Sequence, residues 1–458
     1  MDLPFSDIKL LTQDTKIFYK NKQLISFFKE TKLKYIQFLD LILNNPKYNG
    51  LEKNNMESHN PLLWEAAHPI FFLEKLCVRY LYPKDTYPLF PDTFYNDLYD
   101  SFIIPNEYRF TLKLASYKVI LDYYDNLQTK IIKFLESTPQ DQMSPTYYYM
   151  IMFVLLHIHM HLESFLFTNQ FVYKVNPFKD DSITCHRTPF ENQIPISIEF
   201  IKIPGGTFWQ GYFNKFNKFE FDNEGPCFKN KVTSFSVSKT LITHYMFKQF
   251  VDAGCYKEEK YWSFNGNLWR KHKLFNYCPM YWHKLQNKWH INYFDELIPL
   301  EQVYNHPIIH ISWYEAEAFC KWAGGRMMTE PEWEYLATNA SETYYPWGDS
   351  EKELQLCNLN YSQQWVSNVT ENNSITNNKW GVEQLIGNCW EWCKETIYPY
   401  DGFNIDPLYR EMSYPFFGYK KICRGGAWCV PDYLISSYYR NSQEPDSRKQ
   451  YIGFRVVI

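Results

Sequence analysis

Three histidines at alternate positions, His157, His159 and His161, are the residues in this chain best suited to do chemistry. They lie in the run HIHMHLE. On an α-helix, at about 100° per residue, His157 and His161 are only about 40° apart and can bind one metal ion together. His159 would lie on the opposite face. Two interpretations stay open for such a pair: a metal site, or polar groups in an aromatic-rich helix.

A third ligand is needed before this pair predicts a metal site, and His68 is the best candidate. It lies in the run PLLWEAAHPIFFLEKLCVRYL, which we interpret as another helix. Helices that face each other in a bundle often build metal sites from their inward side chains. Three imidazoles with open coordination positions suit Fe(II) or Zn(II), and ligand chemistry alone does not choose between them.

The elements that would position these histidines are helices, which we expect to fill residues 1 to about 180. Apolar residues recur at three- and four-residue steps from Leu24 to Leu43, which is the helical period. The segment with His68 should begin with Asn60 as N-cap and Pro61 as the first helical residue. Its internal Pro69 should kink it just after His68.

Two further helices complete this half of the chain. One should span roughly Asn106 to Leu135, and the other should open with Ser144 as cap and Pro145 in its first turn. The second of these carries His157 and His161. Four long helices joined by loops predict a four-helix bundle.

Composition excludes several classes of function for the 458-residue chain. A formal net charge of −4 provides no basic surface for nucleic acid or an anionic membrane. The N-terminal run MDLPFSDIKLL has no secretory pattern, and the most apolar stretch is about half of the ~20 residues that span a bilayer. Eleven cysteines without a CxxC pair indicate reduced thiols. We expect a cytoplasmic protein with small-molecule substrates and neither nucleic-acid nor membrane partners.

From about Phe190 the chain changes to short β-prone runs, glycine turns and tryptophan-rich motifs. In order these are IPGGTFWQG, HPIIHISWYEAEAFCKWAGGR, MTEPEWEYLA, PWGD, IGNCWEWC, RGGAW and GFRVV. Thr329 and Glu332 fit a capping box, so a helix should begin there. The series resembles the formylglycine-generating-enzyme or sulfatase-modifying-factor domain, an irregular C-type-lectin-like α+β fold. The resemblance covers roughly residues 195–458.

The N-terminal half has a resemblance of its own. WEAAHPIFFLEKLCVRYL followed by HxxxHxE is similar to the DinB-like domain of the ergothioneine-type sulfoxide synthases, which includes ergothioneine, ovothiol and selenoneine branches. The runs HMHLESFLFTNQ, DPLYREMSYPFFG and YRNSQEPDSRKQYIGFR are most similar to the ergothioneine and selenoneine branch. The implied architecture is multidomain, α and α+β: a DinB-like four-helix bundle over 1–180, then a formylglycine-generating-enzyme-like domain over 195–458.

The resemblance also implies an activity. In that family three histidines hold Fe(II), which activates O2 to couple a thiol or selenol to an imidazole carbon of histidine or of trimethylhistidine (hercynine). The resemblance assigns the iron to His68, His157 and His161. It further implies that Tyr409, in LYREM, donates a proton or an electron during the reaction. We therefore expect Tyr409 to lie close to the histidines, at the junction of the two domains.

Other matching positions are implied substrate contacts. Asn441 matches an asparagine that contacts the imidazole, and Arg109, in NEYRF, matches an arginine that contacts the thiol substrate. Met160 stands where the family has a glutamine, and about 60° from His157 on a helix. Met412 replaces the second tyrosine of the family's PYxxY motif. Both methionines fall in the expected imidazole pocket, which indicates a changed substrate.

The positions that would bind a γ-glutamyl arm depart from the family as well. Ser442 and Gln443 stand where an aromatic residue and a carboxylate are expected, and Ser447 stands where an arginine is expected, with Arg448 one residue later. A donor without that arm, cysteine or a selenosugar, is therefore expected over γ-glutamylcysteine.

Two alternative functions come from the C-terminal resemblance. A formylglycine-generating oxidase needs two cysteines five residues apart after the RGG motif, yet Leu434 follows Cys429 at that spacing. A non-catalytic lectin-like binding module is the other alternative, and it would need no iron.

Overall fold

The structure is a computed structural model of the whole chain. It describes residues 16–44, 59–90, 97–178, 197–212, 214–216, 218–273, 276–362, 365–369 and 378–458. The chain forms two compact units. The first comprises Met1–Pro177 with two later segments, Asn214–Phe219 and Ile405–Met412, and the second comprises the rest. The proposed change of domain between 180 and 195 falls outside the described residues, so those boundaries stay a prediction.

Four long helices stand out in the described part of the first unit, as the periodicity predicts. They are α1 (Asn21–Leu43), α2 (Leu62–Leu73), α3 (Tyr117–Ser137) and α4 (Pro145–Thr168). Both α2 and α4 continue into π-helical turns, Glu74–Val78 and Asn169–Tyr173. Leucine, phenylalanine and tyrosine side chains on the inward faces are almost completely buried, and they supply the core of the bundle.

The predicted start of α4 is confirmed. Ser144 is its N-cap and accepts a hydrogen bond from the Tyr147 amide, while Pro145 occupies the first turn. By length and apolar composition Pro145–Tyr173 could cross a membrane, but 72% of its most apolar window is buried inside the protein. That burial is typical of a core helix.

Two predictions about helices in this unit need correction. Pro61, not Asn60, is the N-cap of α2, because the Asn60 side chain instead bonds Glu65 and Arg109. The helix continues through Pro69 to Leu73 and is followed by the π-helical turn Glu74–Val78, and the predicted kink after His68 stays a prediction. The predicted helix over Asn106–Leu135 is two elements.

The division of that third helix has a local cause. A short 3-10 helix, Asn106–Thr111, is followed by residues without helical structure, and Ser116 then caps α3 by accepting from the Val119 amide at 3.4 Å. Ser116 is the N-cap of a new helix, so the helical spacing of apolar residues in α3 begins at Tyr117.

The second unit contains small sheets and short helices. One sheet has the order β1 (Phe200–Ile203), β4 (Phe235–Ser238), β13 (Val456–Val457), β8 (Arg326–Met327). A second has the order β11 (Asn441–Gln443), β10 (Lys421–Arg424), β9 (Trp390–Thr396), β12 (Ile452–Gly453). The ladders β2–β3 (Gly206–Gln210, Phe228–Val232) and β5–β6–β7 (Trp282–Leu285, Lys288–Tyr293, Glu296–Pro299) are antiparallel. The first pairs of the second sheet, β11–β10 and β10–β9, are antiparallel, and β9–β12 is parallel.

Helices of this unit are α5 (His244–Asp252), α6 (Phe264–Lys273), α7 (Trp313–Trp322) and α8 (Glu330–Ala337). The capping box predicted at Thr329 and Glu332 is present at the start of α8. The same helix brings Glu330 and Glu334 to a buried Arg424, at 2.9 and 2.7 Å. A helical unit followed by a sheet-containing unit confirms the predicted fold class.

Candidate metal centre

Three imidazoles meet in the first unit. His157 and His161 lie one turn apart on α4, and their Nε2 atoms are 3.2 Å apart. His68 comes from α2, with its ring centroid 4.6 Å from that of His161 and 5.3 Å from that of His157. One ligand atom from each residue lies within 4.8 Å of the other two. The convergence expected for these histidines is therefore present.

Hydrogen bonds on the far side of two rings fix their orientation. Nδ1 of His68 lies 2.8 Å from the carbonyl oxygen of Tyr99. A carbonyl oxygen only accepts, so Nδ1 carries the proton and Nε2 keeps its lone pair. Nδ1 of His161 lies 2.6 Å from Glu65 Oε1, which selects the same tautomer. Such outer partners are typical of metal-binding histidines.

Burial favours the neutral form of two of the rings, His68 and His157. It lowers the pKa of His68 well below the usual value, and nearby His161, His157 and Arg109 lower it further. Burial, followed by the neighbouring His161, also lowers the pKa of His157. Burial alone would raise the pKa of Glu65, but His161 and hydrogen bonds outweigh it, so this pKa is lowered. Neutral imidazoles beside an ionised carboxylate are the protonation states a metal ion needs.

The residues present fit a bound metal ion. His157 and His161 bring two Nε2 atoms within 3.2 Å, and each atom can offer a lone pair. Nδ1 of His157 is buried without a hydrogen-bond partner among the described residues. Without a metal, one of the two Nε2 nitrogens can donate to the other, and a cation held by three imidazole nitrogens would replace that hydrogen bond. Three neutral nitrogens suit Fe(II) or Zn(II), so the donor set alone does not decide which.

His159 does not belong to this cluster. Its Nε2 lies 2.8 Å from Thr31 Oγ1 of α1, on the other face of α4. The helical geometry predicted this separation, because residues two apart on a helix face in nearly opposite directions.

Tyr409 lies beside the histidines, within the first unit. Its ring centroid is 4.9 Å from that of His157, and only 7% of its surface is exposed. Phe72, Phe102 and Phe153 surround it at centroid distances of 5.2, 5.8 and 5.7 Å, each with roughly perpendicular rings. The phenol is therefore held in an apolar cage next to a candidate ligand.

Arg109 is connected to the centre through an aromatic ring. Its guanidinium carbon lies 3.7 Å from the centroid of Trp64, and that indole stacks on His68 at 4.8 Å. The guanidinium also donates to the Ile104 carbonyl and to Asn60 Oδ1, at 2.6 Å. These contacts fix the position of a cation that is largely buried.

Of the other predicted substrate contacts, two lie in the first unit and three in the second. Met160 is half-buried on α4, next to His161, and Met412 ends the 3-10 turn that follows Tyr409. In the second unit, Asn441 and Gln443 lie on β11. Arg448 pairs with buried Glu315 at 3.1 Å. The roles assigned to these five residues stay predictions.

Glu65 is the functional residue that the sequence reasoning missed. It stands three residues before His68 in WEAAH, so both lie on one face of α2. Glu-x-x-His on a bundle helix is a common arrangement in metal proteins, and that spacing could have identified it. The contact with His161 joins two helices and needed the fold.

Comparison with known proteins shows which family the chain belongs to. Residues 188–458 match the family model described as the sulfatase-modifying factor enzyme 1-like domain, which is more than half of the chain. The chain belongs to this family. The resemblance seen in the motifs of the C-terminal half is thereby confirmed.

Similarity beyond that family domain extends over almost the entire chain. A protein named hercynine oxygenase from Mycolicibacterium smegmatis is 26% identical over 94% of this chain and 97% of its own length. A hercynine oxygenase from Mycolicibacterium thermoresistibile is 26% identical over 87% of both. The suspected likeness to the ergothioneine-type enzymes is confirmed, and it supports an oxidoreductase.

A formylglycine-generating enzyme from Thermomonospora curvata is 27% identical, but over only 56% of this chain. Its similarity therefore leaves a large part of this chain without a counterpart, whereas the hercynine oxygenases match nearly all of it. Cys429 is completely buried, and Leu434 supplies no second thiol. The formylglycine-generating alternative is therefore less supported for this sulfatase-modifying-factor-like protein.

Proposed function

We propose that this chain is an Fe(II)- and O2-dependent enzyme that joins the sulfur or selenium of a small donor to an imidazole carbon of hercynine or histidine. The observation that carries the proposal is the cluster of His68, His157 and His161 with Tyr409 packed against it. The reaction balances as imidazole C–H plus R–SH plus O2 giving a C–S(O)–R sulfoxide and water. Bound iron would supply the activation of O2.

The chain's own residues would do the remaining work. The three histidines would bind iron through the nitrogens that face one another, and Glu65 would hold His161 in the required tautomer. Phe72, Phe102 and Phe153 would exclude water around Tyr409. A phenol in such an apolar site retains its proton at neutral pH and can give it to developing negative charge on a reacting oxygen.

For the donor, we propose cysteine or a selenosugar rather than γ-glutamylcysteine. Ser442, Gln443 and Ser447 provide no charged partners for a γ-glutamyl arm. An unmatched charge in a partly buried pocket typically costs a few kcal/mol, which is enough for about a hundredfold preference. Arg109, fixed on Trp64, is the proposed partner for a donor carboxylate. Asn441 is the proposed imidazole contact, with hercynine as acceptor and a cytoplasmic location.

The test is anaerobic reconstitution with Fe(II), followed by mass spectrometry of the products formed in air from hercynine with cysteine, a selenosugar or γ-glutamylcysteine. We expect one iron per chain and a sulfoxide of hercynine and cysteine. Zn(II)-loaded protein is the matched control and should form no product, because zinc does not change its oxidation state. Iron without product from any donor would contradict the proposed reaction. A preference for γ-glutamylcysteine would contradict only the donor assignment.

A further inference from the structure

A stripe of four residues runs along α4 at four-residue steps: Tyr149, Phe153, His157 and His161. Residues at this spacing lie on one side of a helix, above one another. The two histidines belong to the metal centre, and Phe153 belongs to the cage around Tyr409. Tyr149, at the other end of the stripe, has no role in the function proposed above.

Tyr149 is hydrogen-bonded to the segment that carries Tyr409. Its hydroxyl donates to Asp406 Oδ2 at 2.5 Å, and the other oxygen of this carboxylate accepts from the Leu408 amide at 2.7 Å. The backbone amide of Tyr409 is a further donor to Asp406. The Tyr149 ring stacks on Phe219, with centroids 5.0 Å apart and planes 25° apart. The Asp406 carboxylate therefore joins α4 to the backbone of the segment that carries Tyr409.

The distance between the two points of contact is similar on α4 and on the segment that carries Tyr409. Tyr149 and His157 are separated by eight residues, or about 12 Å along a helix. Asp406 and Tyr409 are three residues apart, a backbone span of at most about 10 Å, and their side chains reach the remaining distance to Tyr149 and His157. Because Asp406 is attached at Tyr149 and the ring of Tyr409 lies at His157, the segment runs along α4 in the direction of the helix.

We propose that Asp406 and Tyr149 are positioning residues that set the placement of Tyr409 at the metal centre. The proposal deepens the proposed function and rests on the role given there to Tyr409. The aromatic cage buries the Tyr409 ring but does not hold the backbone of its segment. The carboxylate's hydrogen bonds are directional and fix the backbone on both sides of Leu408. Misplacing a reacting group by about 1 Å can cost about a hundredfold in rate.

The first experiment measures the attachment without iron or substrate. Hydrogen–deuterium exchange of the peptide that contains residues 405–412 is compared in metal-free wild type, Tyr149→Phe, Asp406→Asn and Asp406→Ala. We expect exchange at this peptide to rise at least about tenfold in Asp406→Ala, because a hydrogen bond to a charged acceptor typically contributes that much. Tyr149→Phe should give a smaller rise, and Asp406→Asn should restore part of the protection.

Tyr147→Phe is the matched control, since it removes a tyrosine hydroxyl from the same helix. The ring of Tyr147 packs on Phe134 of α3. This variant should leave exchange at 405–412 unchanged. Unchanged exchange in Asp406→Ala would overturn the proposal whether or not the enzyme binds iron.

The second experiment tests whether the attachment acts through Tyr409. Turnover of the iron-loaded enzyme is measured in Tyr149→Phe, Tyr409→Phe and the double variant. We expect kcat to fall about 10- to 100-fold in Tyr149→Phe with little change in KM, and the double variant to be no slower than Tyr409→Phe alone. Multiplicative losses in the double variant would overturn the positioning role. Loss of all product formation in wild type would contradict the proposed function instead, and the exchange result would still decide the attachment.

Discussion

At the scale of single residues, the candidate centre is defined by which nitrogen of each imidazole is available. The Tyr99 carbonyl and the Glu65 carboxylate occupy Nδ1 of His68 and His161, so both rings present Nε2 to one another. Burial then keeps His68 and His157 neutral. Each condition is needed for metal binding, because a protonated imidazole has no lone pair to give.

The three histidines should differ sharply from His159 in metal binding. Alanine at His68, His157 or His161 should abolish stoichiometric iron, while His159→Ala should retain it, since His159 bonds Thr31 instead. The measurement is iron per chain after anaerobic reconstitution and desalting. His159→Ala controls for loss of a buried histidine from the same helix. Retention of full iron in His68→Ala would remove that residue from the ligand set.

Glu65→Gln should weaken iron binding without abolishing it. Loss of an outer hydrogen-bond partner typically costs about 10- to 100-fold in metal affinity, because the ligand's orientation and basicity both suffer. The measurement is the dissociation constant for Fe(II) under anaerobic conditions, with circular dichroism to verify the helices. Glu163→Gln, on α4 but outside the stripe, is the control and should leave the affinity unchanged. Equal weakening in both variants would show a general charge effect.

At the scale of elements, sequence patterns predicted helices well when the signal was local. The period of α1, the Ser144–Pro145 start of α4 and the capping box of α8 are all local, and the structure has each of them. The predicted start of α2 was wrong because the Asn60 side chain bonds Glu65 and Arg109, and Arg109 is 49 residues away in sequence. Periodicity joined Asn106–Thr111 to α3 because it does not register the break before Ser116.

The same distinction applies to the candidate site. Helical geometry by itself separates His159 from His157 and His161, because the three residues share one helix. The pairing of Glu65 with His161 and of Asp406 with Tyr149 joins residues far apart in the chain, so no local pattern predicts it. The placement of Tyr409 was expected only from a family resemblance, since one tyrosine among 38 carries no signal of its own.

The cap of α4 should contribute measurably to stability. Ser144→Ala leaves the Tyr147 amide without its hydrogen-bond partner at 3.1 Å, and such a loss typically costs about 1 kcal/mol of unfolding free energy. Ser116→Ala, at the start of α3, is the matched variant and should cost less, because its bond to Val119 is 3.4 Å long. Chemical denaturation of metal-free protein provides both values. A larger loss in Ser116→Ala would contradict this ranking.

At the scale of the whole molecule, the buried glutamates of the second unit differ in the direction in which their pKa values are shifted. Arg424 and Arg440 pair with Glu330, and despite the opposing effect of burial these two arginines lower the pKa of that carboxyl. Burial raises the pKa of Glu220 to about 8, and burial with the neighbouring Glu220 raises that of Glu224 well above its usual range. The stability of this unit should therefore depend on pH well above the ordinary range of glutamate titration.

Glu220→Gln should make the protein more stable at pH 8 and leave it unchanged near pH 4.5. The unfolded chain loses the Glu220 proton near the ordinary pKa of about 4.3, whereas the folded protein retains it until about pH 8. The contribution of Glu220 to wild-type stability is thus greatest below the unfolded pKa and declines as pH rises through this window. Glutamine cannot titrate, so its advantage should grow with pH. A difference of this size between the two pKa values corresponds to about 5 kcal/mol, or a rise in Tm on the order of 10 °C at pH 8. Thermal unfolding of metal-free protein between pH 4.5 and 8 measures the difference.

Glu199→Gln is the control, because its side chain is 67% exposed and should give no such trend. A Tm difference between Glu220→Gln and wild type that is constant across this range would show that Glu220 ionises alike in the folded and unfolded chains.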